Sequence, residues 1–580
     1  MRETGKIKET GKITEFPMRR WFLLSIYTIC MAGLLFRAVD LQVLNKEFLQ
    51  DRGDARALRV VKIPAHRGMI TDRNGESLAI STPVNSIWAV PRKVLASDSR
   101  LAQLAKYLQM NDEELITLLK DRIGRQFVYL KRHVAPALAA EVMLLDIPGI
   151  SLQREYRRYY PAGEVTSHVL GFTNIDDSGQ EGLELAYDSW LKGLPGSKRV
   201  LKDRLGRVIE NIESIRTPDP GKQLVLSIDR RVQYLAYREL KAAVNHYKAR
   251  AGTLIMLDVN TGEIIAMVGQ PSYNPNNRTG LKSGNYRNRA LTDVFEPGST
   301  LKPFTIAAAL ESGLYDLETT IDTRPGIFKV GDHIIRDHRN YGVIDLATVI
   351  KKSSNIGASK IALSLEPQDF WTTLARAGFG QTTGSGFPGE VSGFLNSYNN
   401  WSEVEQATMS FGYGMSVTAL QLARAYMVFA TEGMMLPVSF LKVTEPVSAS
   451  RVFSASVARQ VREMLEAVVQ KGGTGYRASI EGYRVSGKTG TVHKTVAGGY
   501  SEDRYLSLFA GMAPASKPRL VAVVIIDEPQ GDQYYGGLVA APVFSSVMAG
   551  ALRLLDVPPD DLSALNGQIV ATGGLTDDDS

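Results

Sequence analysis

Between Arg20 and Arg37 the chain runs from Trp21 to Phe36 without a single charge. Such a run restricts the fold before any motif is read. In hydrocarbon every backbone N–H and C=O must be satisfied within the segment itself, which leaves a helix. As a helix this run spans roughly 24 Å, a little short of the ~30 Å bilayer core, and the flanking arginines extend its reach by snorkelling. Lys6, Lys8, Lys12, Arg19 and Arg20 precede it, so the positive-inside rule puts the N-terminus in the cytoplasm. A cleaved signal or a lipoprotein signal fits poorly: no Ala-x-Ala-like site follows Phe36, and Cys30 is preceded by Ile29 instead of a small residue. The expectation is a cytoplasmic tail over 1–20, an uncleaved single-pass anchor over 21–41 that continues to about Asn45 as a stalk, and an external remainder.

That remainder is large. At 580 residues with 44% hydrophobic content, the chain can build two globular parts. Its net charge of +6 comes from 67 Lys+Arg against 61 Asp+Glu, mixed along the chain, which argues for a solvated mixed surface and against a nucleic-acid binder. Cys30 is the single cysteine, so no intramolecular disulfide forms. The polar, acidic stretch 557–580 reads as disordered.

Chemistry concentrates in Glu296-Pro297-Gly298-Ser299-Thr300-Leu301-Lys302-Pro303-Phe304. On a helix, residues i and i+3 share a face, so the Lys302 amine reaches the Ser299 oxygen. Pro303 is tolerated only in a first helical turn, where its missing N–H is no loss. Ser299 therefore lies near a helix start, where unpaired N–H groups and the helix dipole favour an oxyanion. The same field disfavours an ammonium, which suits Lys302 to act as a neutral base. By itself Ser-x-x-Lys is common. It is followed here, in order, by Ser353-Ser354-Asn355 and by Lys488-Thr489-Gly490-Thr491, a three-part set associated with serine β-lactamases and penicillin-binding proteins. Each of the later elements alone reads as a helix cap or a turn; together they read as one site.

The chain around these motifs has two parts. Ile63 to Ile80 reads as strand, Asn-Gly turn and strand, and apolar periodicity predicts helices over Leu101–Tyr107 and Ala135–Leu145. Thr217-Pro218-Asp219-Pro220-Gly221 reads as a boundary. Beyond it come a strand at Leu224–Ile228, a helix at Val232–Asn245 and a hairpin of Gly252–Val259 with Glu263–Val268. Antiparallel strands near Leu506–Met512 and Leu520–Asp527 and a helix at Pro542–Leu555 return to the same layer, with an insertion between the early and late strands holding Ser299. Lys488 to Thr491 is expected on an edge strand, open to pairing with an extended peptide. Gly490 is expected to leave room for a ligand. His66, His168, His333 and His338 sit as isolated residues, so no metal and no cofactor is expected.

The run Arg67-Gly68-Met69-Ile70-Thr71-Asp72-Arg73-Asn74-Gly75 resembles the opening signature of the non-catalytic module of class B penicillin-binding proteins. Arg157-Arg158-Tyr159-Tyr160-Pro161, Ser167 to Thr173, Gly179 to Glu184 and Lys198-Arg199-Val200 with Asp203 and Gly206-Arg207-Val208-Ile209 resemble the same module, and the three motifs resemble its catalytic partner. The resemblance covers nearly everything from the anchor to about Leu555. It implies an α+β chain with a single N-terminal transmembrane helix, an elongated β-rich pedestal over 42–221, and a transpeptidase domain over 222–556 built of an antiparallel sheet covered by helices plus an all-helical subdomain.

The activity it implies is D,D-transpeptidation of peptidoglycan stem peptides through a serine acyl-enzyme, with β-lactams as covalent inhibitors. Ser299 would be the nucleophile and Lys302 its base. Ser353 would relay a proton, Asn355 would bind the substrate amide, and Lys488 with the Thr489 and Thr491 hydroxyls would hold the terminal carboxylate. The backbone N–H groups of Ser299 and Thr491 would form the oxyanion hole. Tyr413, in Phe411-Gly412-Tyr413-Gly414, either walls the cleft or is a structural aromatic.

The asparagine form of the second motif points to the division-specific branch. That branch implies an inner-membrane protein with a periplasmic catalytic domain, working with an FtsW-type glycan polymerase and other divisome membrane proteins. His493 departs from the pattern, standing where many relatives carry Arg or Lys. Two other classes compete. A carboxypeptidase or β-lactamase would need a deacylating base, for which Glu390 is poorly spaced from Leu395-Asn396. A silent scaffold would form no acyl adduct.

Overall fold

The computed structural model describes residues 17–48, 58–97, 100–202, 208–496 and 499–561. The basic tail with Lys6, Lys8 and Lys12, the motif residues Asp203, Gly206 and Arg207, and most of the acidic tail lie outside the described residues. Helix α1 (Pro17–Val39) carries the charge-free run, none of it buried within the protein, and passes into a wider helical turn, Asp40–Leu44. The span Pro17–Leu44 is long and apolar enough to cross a membrane, consistent with a single anchor.

Two compact units follow from the contacts within the chain. The first is Met1–Pro64, Ser86–Gln153 and Pro195–Pro218; the second is Ala65–Asn85, Arg154–Leu194 and Asp219–Ser580. In the first, Leu58–Ile63, Gly196–Lys202 and Val208–Arg216 form an antiparallel sheet with Gly196–Lys202 in the middle. A separate small core gathers α2 (Leu101–Leu108), α3 (Asp112–Lys120) and α4 (Pro136–Leu144). In α2, Leu101, Leu104, Ala105 and Leu108 recur at helical spacing and all are buried. Helix α3 buries Leu115 and Leu119, one helical turn apart. Its acidic first turn, Asp112 to Glu114, suits the positive end of the helix dipole.

The second unit is built on a five-stranded antiparallel sheet of β1 (Ala251–Asp258), β2 (Ile264–Gln270), β3 (Ser486–Val496), β4 (Gly499–Ala513) and β5 (Leu520–Asp527), in the order β2-β1-β5-β4-β3. Early and late parts of the chain therefore meet between β1 and β5. Strand β5 is buried along its whole length because both faces are covered, with Val521, Val523 and Ile525 in one core and Leu520, Ala522, Val524 and Ile526 in the other. The second core holds α5 (Arg230–His246), begun by the Asp229 side chain accepting from Arg231 N.

Between β2 and β3 lies the insertion that carries α6 (Lys302–Glu311), α7 (Asn355–Leu363), α8 (Ala419–Ala430) and α9 (Ala455–Val469). It is helical with three small ribbons added, Thr320–Asp322 with Val343–Asp345, Ile327–Val330 with His333–Arg336, and Met434–Met435 with Ser450–Arg451. Strands of two to four residues are too short to display an alternating pattern, so no periodicity announces them. The C-terminal α10 (Gly536–Leu554) is also apolar enough to span a membrane, but 56% of its apolar window is buried in the protein core.

The Arg67–Glu76 run has a mechanical explanation within the second unit. Asp72 Oδ1 accepts from Asn74 N and Glu76 N, each at 2.8 Å, and its Oδ2 accepts from Arg230 N at 3.1 Å. Asn74 Nδ2 donates to Asp229 and Arg73 to Glu263. The Asn-Gly turn is thereby stapled to the start of α5 and to the β1–β2 turn. Nearby, Arg67 and Arg158 clasp Glu184 in a buried ion triad, with Arg67 at 2.7 Å and Arg158 at 2.6 Å. By these contacts the Ala65–Asn85 and Arg154–Leu194 segments belong with the central sheet.

Candidate active site

Ser299 lies in a 3-10 turn, Gly298–Leu301, that runs directly into α6 with Pro303 in its first turn. Gly298 has φ +55°, and a Cβ there would stand 2.4 Å from Val492 Cγ2. Only glycine lets the nucleophile turn pack this closely on β3. One turn further, Lys302 is completely buried, and its amine meets four oxygens: Ser299 Oγ at 3.1 Å, Ser353 O at 2.6 Å, Ser353 Oγ at 3.1 Å and Asn355 Oδ1 at 2.7 Å.

The second motif is a break between helices. Ser353 ends the helical turn Leu346–Lys352 with φ +60°, an uncommon backbone for a β-substituted residue and one that recurs at functional sites. That conformation turns both its carbonyl and its hydroxyl towards Lys302. Ser354 caps α7, its Oγ accepting from Gly357 N at 2.9 Å, so Asn355 occupies the first position of that helix. The Asn355 amide is oriented by its partners: Oδ1 faces Lys302, and Nδ2 donates to Arg336 O at 3.1 Å. The reverse orientation would set donors against the amine and an acceptor against a carbonyl.

Strand β3 is an edge of the sheet. Its Lys488 is fully buried and donates to Ser353 Oγ at 3.0 Å and Thr489 O at 3.1 Å. Two lysines thus converge on one serine hydroxyl. Burial pushes the Lys488 amine down to about 7. Burial first, and then the charge of Lys488, hold Lys302 well below the usual lysine range, opposed by Asp337. A neutral Lys302 has two N–H groups for its two shortest contacts and a lone pair left for the Ser299 hydroxyl, the arrangement a general base requires.

A cleft of about 470 Å³ opens over these groups, lined by Ser299, Ser353, Asn355, Thr489, Thr491 and Tyr413 from the sequence-selected set. Lys488 lies beneath the lining, so its action on a carboxylate in the cleft is through its field. Thr489 Oγ1 donates to Thr474 Oγ1 at 2.9 Å, and Thr491 Oγ1 accepts from Gly536 N at 2.9 Å, which leaves the Thr491 hydroxyl proton free to donate. The space beside Gly490 is put to another use than the sequence suggested. A Cβ there would meet Thr300 Cγ2 at 3.1 Å and Leu508 Cβ at 3.3 Å, so the glycine admits the nucleophile turn and not a ligand.

Sequence reasoning missed the rest of the lining: Thr474, Tyr505, Tyr534, Tyr535 and the position of His338. Tyr505 stacks on Tyr534 at 4.0 Å and Tyr534 on Tyr535 at 4.6 Å. His493 also lines the cleft, its Nδ1 paired with Ser501 O at 2.8 Å and its ring tilted against Tyr505. Tyr413 packs edge-on against Phe411 and Tyr500. Glu390 is tied up elsewhere, taking hydrogen bonds from the backbone and hydroxyl groups of Thr383 and Ser385, and it does not line the cleft.

A serine beside a neutral lysine, backed by Ser-x-Asn and by an edge strand bearing Lys-Thr-Gly, defines the serine acyltransferases of the penicillin-recognising kind. Residues 252–549 match the family described as penicillin binding protein transpeptidase domain, and residues 62–226 the penicillin-binding protein dimerisation domain. The chain is 44% identical over 567 residues to the peptidoglycan D,D-transpeptidase FtsI of Escherichia coli, covering 97% of this chain and 96% of that one. It is 43% identical over 543 residues to the probable peptidoglycan D,D-transpeptidase PbpC of Pseudomonas aeruginosa, covering 93% and 96%. Among solved structures, the transpeptidase domain of Burkholderia pseudomallei penicillin-binding protein 3 aligns with 44% identity and a TM-score of 0.54, covering 58% of this chain and 97% of that one. The chain belongs to the class B penicillin-binding proteins, in the FtsI or penicillin-binding protein 3 branch.

Proposed function

We propose that this chain is a peptidoglycan D,D-transpeptidase that cross-links stem peptides in septal wall synthesis during cell division, and that β-lactams acylate the same serine. The observation that carries the reading is the Lys302 amine 3.1 Å from Ser299 Oγ, buried, with its two shortest contacts to acceptors. Ser299 attacks the carbonyl between two D-alanines as Lys302 takes its proton. The N–H groups of Ser299 and Thr491 receive the developing oxyanion. The C–N bond breaks, and the departing D-alanine amine takes a proton passed through Ser353. An amine from a second stem peptide then attacks the ester, its proton returns by way of Lys302, and Ser299 regains its hydrogen as the new amide forms.

Asn355 keeps one amide hydrogen beyond its bond to Arg336 for the substrate backbone. The Thr474 and Thr491 hydroxyls donate to the donor's carboxylate, with Thr489 orienting Thr474 and Lys488 below, and Tyr413 walls the cleft. The donor peptide pairs with the outer edge of β3. With Glu390 engaged elsewhere, water lacks a base of that kind, so deacylation by water is slow.

In this reading residues 42–221 serve as a pedestal for interaction and positioning and residues 222–556 as the catalytic domain, with the Ala65–Asn85 and Arg154–Leu194 segments of the pedestal packed into the catalytic unit. The anchor sets the catalytic domain in the periplasm with the N-terminus in the cytoplasm, and the pedestal meets an FtsW-type polymerase and other divisome membrane proteins. The test is mass spectrometry of the full chain treated with a penicillin. A stable penicilloyl adduct on Ser299, absent in Ser299→Ala, is expected. No adduct, or one shed rapidly to water, refutes the reading. Depletion in cells separates division, which gives filaments, from elongation, which gives rounding.

A further inference from the structure

The second motif is held from behind by the corner that follows the His333–Arg336 strand. Asp337 Oδ1 accepts from Asn355 N at 2.6 Å and from Ile356 N at 3.1 Å, and its Oδ2 accepts from Ser354 Oγ at 2.5 Å. The neighbouring Arg336 carbonyl accepts from Asn355 Nδ2, and Asp337 N is itself fixed to Gly326 O at 3.3 Å. A carboxylate at the N-terminus of α7, which is nine residues long, satisfies N–H groups that a helix leaves unpaired and complements its dipole. The corner therefore does two things that Ser354 alone cannot. It locks the Ser353–Asn355 break in place, and it decides which end of the Asn355 amide faces Lys302.

We propose that Asp337 is a positioning residue for acyl transfer: through the hydrogen bonds it accepts from Ser354, Asn355 and Ile356 it holds the Ser353–Asn355 break against Lys302, and it sets a carboxylate directly behind that break. This rests on the reading of Lys302 as the base. The groups facing Lys302 are Ser299 from its own turn, Ser353 and Asn355 from the break, Lys488 from β3, and Asp337 from the ribbon. Of the charged ones, Lys488 disfavours an ammonium at Lys302 and Asp337 favours it. Removing the charge while keeping the shape should therefore make Lys302 neutral at lower pH. Removing the side chain should instead loosen the break.

The experiment measures acylation of the full-length, detergent-solubilised chain by a fluorescent penicillin as a function of pH, for the unmodified protein, Asp337→Asn and Asp337→Ala, with melting curves for each. In the unmodified protein, acylation rises with pH as the base loses its proton. In Asp337→Asn that rise moves to lower pH, with a plateau rate within about threefold, as expected when an isosteric side chain keeps the geometry. In Asp337→Ala the plateau falls roughly 10- to 100-fold, the scale of a misplaced catalytic group. If the unmodified protein shows no such rise, the assignment of Lys302 as base fails. If the rise is present but stays in place in Asp337→Asn, or moves to higher pH, the electrostatic role of Asp337 is refuted. If Asp337→Ala keeps its plateau while melting normally, the positioning role is refuted. Should Asp337→Ala not fold, Asp337→Leu, which fills the space without accepting a hydrogen bond, takes its place, and a plateau as high as that of Asp337→Asn refutes the positioning role.

Discussion

Replacing Lys488 by methionine should make the protein more stable at pH 6 and less stable at pH 10. The amine is fully buried, and that burial pushes it down to about 7 from an ordinary 10.5. Between those two values the unfolded chain carries a proton that the folded chain does not, so stability rises with pH across this window and is flat outside it. Below pH 7 the folded protein bears the full cost of charging a buried amine, on the order of 5 kcal/mol at 1.36 kcal/mol per unit. Methionine removes that cost and fills a similar volume. It also forfeits the hydrogen bonds to Ser353 Oγ and Thr489 O, together worth about 2 kcal/mol. The variant should therefore gain about 3 kcal/mol at pH 6 and lose about 2 kcal/mol near pH 10.5, crossing over around pH 9. Melting temperatures of the purified chain and variant, taken from pH 6 to 10.5, read the difference directly. A difference that does not change with pH would show that Lys488 is not held neutral by burial, and would undo the account of the site's electrostatics. The gain in stability carries a functional loss. Without the Lys488 charge, Lys302 holds its proton to higher pH, so the rise of penicillin acylation with pH moves upward.

Gly298→Ala adds a Cβ 2.4 Å from Val492 Cγ2 at a φ of +55°; it should cost about 1–3 kcal/mol and abolish most acylation, read by melting and by adduct yield. Glu184→Gln leaves Arg158 charged and buried beside a neutral amide while Arg67 keeps Asp188; a loss of about 3 kcal/mol is expected, seen as a lower melting temperature. Thr474→Val removes the partner of Thr489 Oγ1 without touching the nucleophile. It should raise the penicillin concentration needed for half-maximal acylation roughly tenfold while the adduct stays on Ser299, and an unchanged concentration dependence would remove Thr474 from the carboxylate site.

The reacting residues were legible because their spacing is local. Ser299 and Lys302 declare themselves by one helical turn, and Pro303 marks where that turn begins. The sheet was legible for a similar reason: β5, covered on both faces, is an unbroken apolar run, and its expected limits, Leu520 and Asp527, are those observed. What escaped was the part of the cleft wall that distant segments supply without a motif of their own. Thr474 precedes β3 by a dozen residues, Tyr534 and Tyr535 follow β5, and His338 comes from the insertion; none carries a local mark of its destination. Asp337 escaped because an acid beside two histidines in a short ribbon looks like surface, and its value lies in N–H groups exposed by a helix start eighteen residues on. Gly490 was expected to leave room for a ligand, and the group its missing side chain admits is the protein's own Thr300.

One hydroxyl, that of Ser353, stands between two amines, 3.1 Å from Lys302 and 3.0 Å from Lys488. It has two lone pairs, one for each amine, and one hydrogen to give, so it links the two amines in one chain of hydrogen bonds. On the proposed mechanism a proton from the nucleophile enters this chain and one leaves it with the departing amine. Because the charge of Lys488 disfavours a second charge at Lys302, the pair takes up one proton more readily than two.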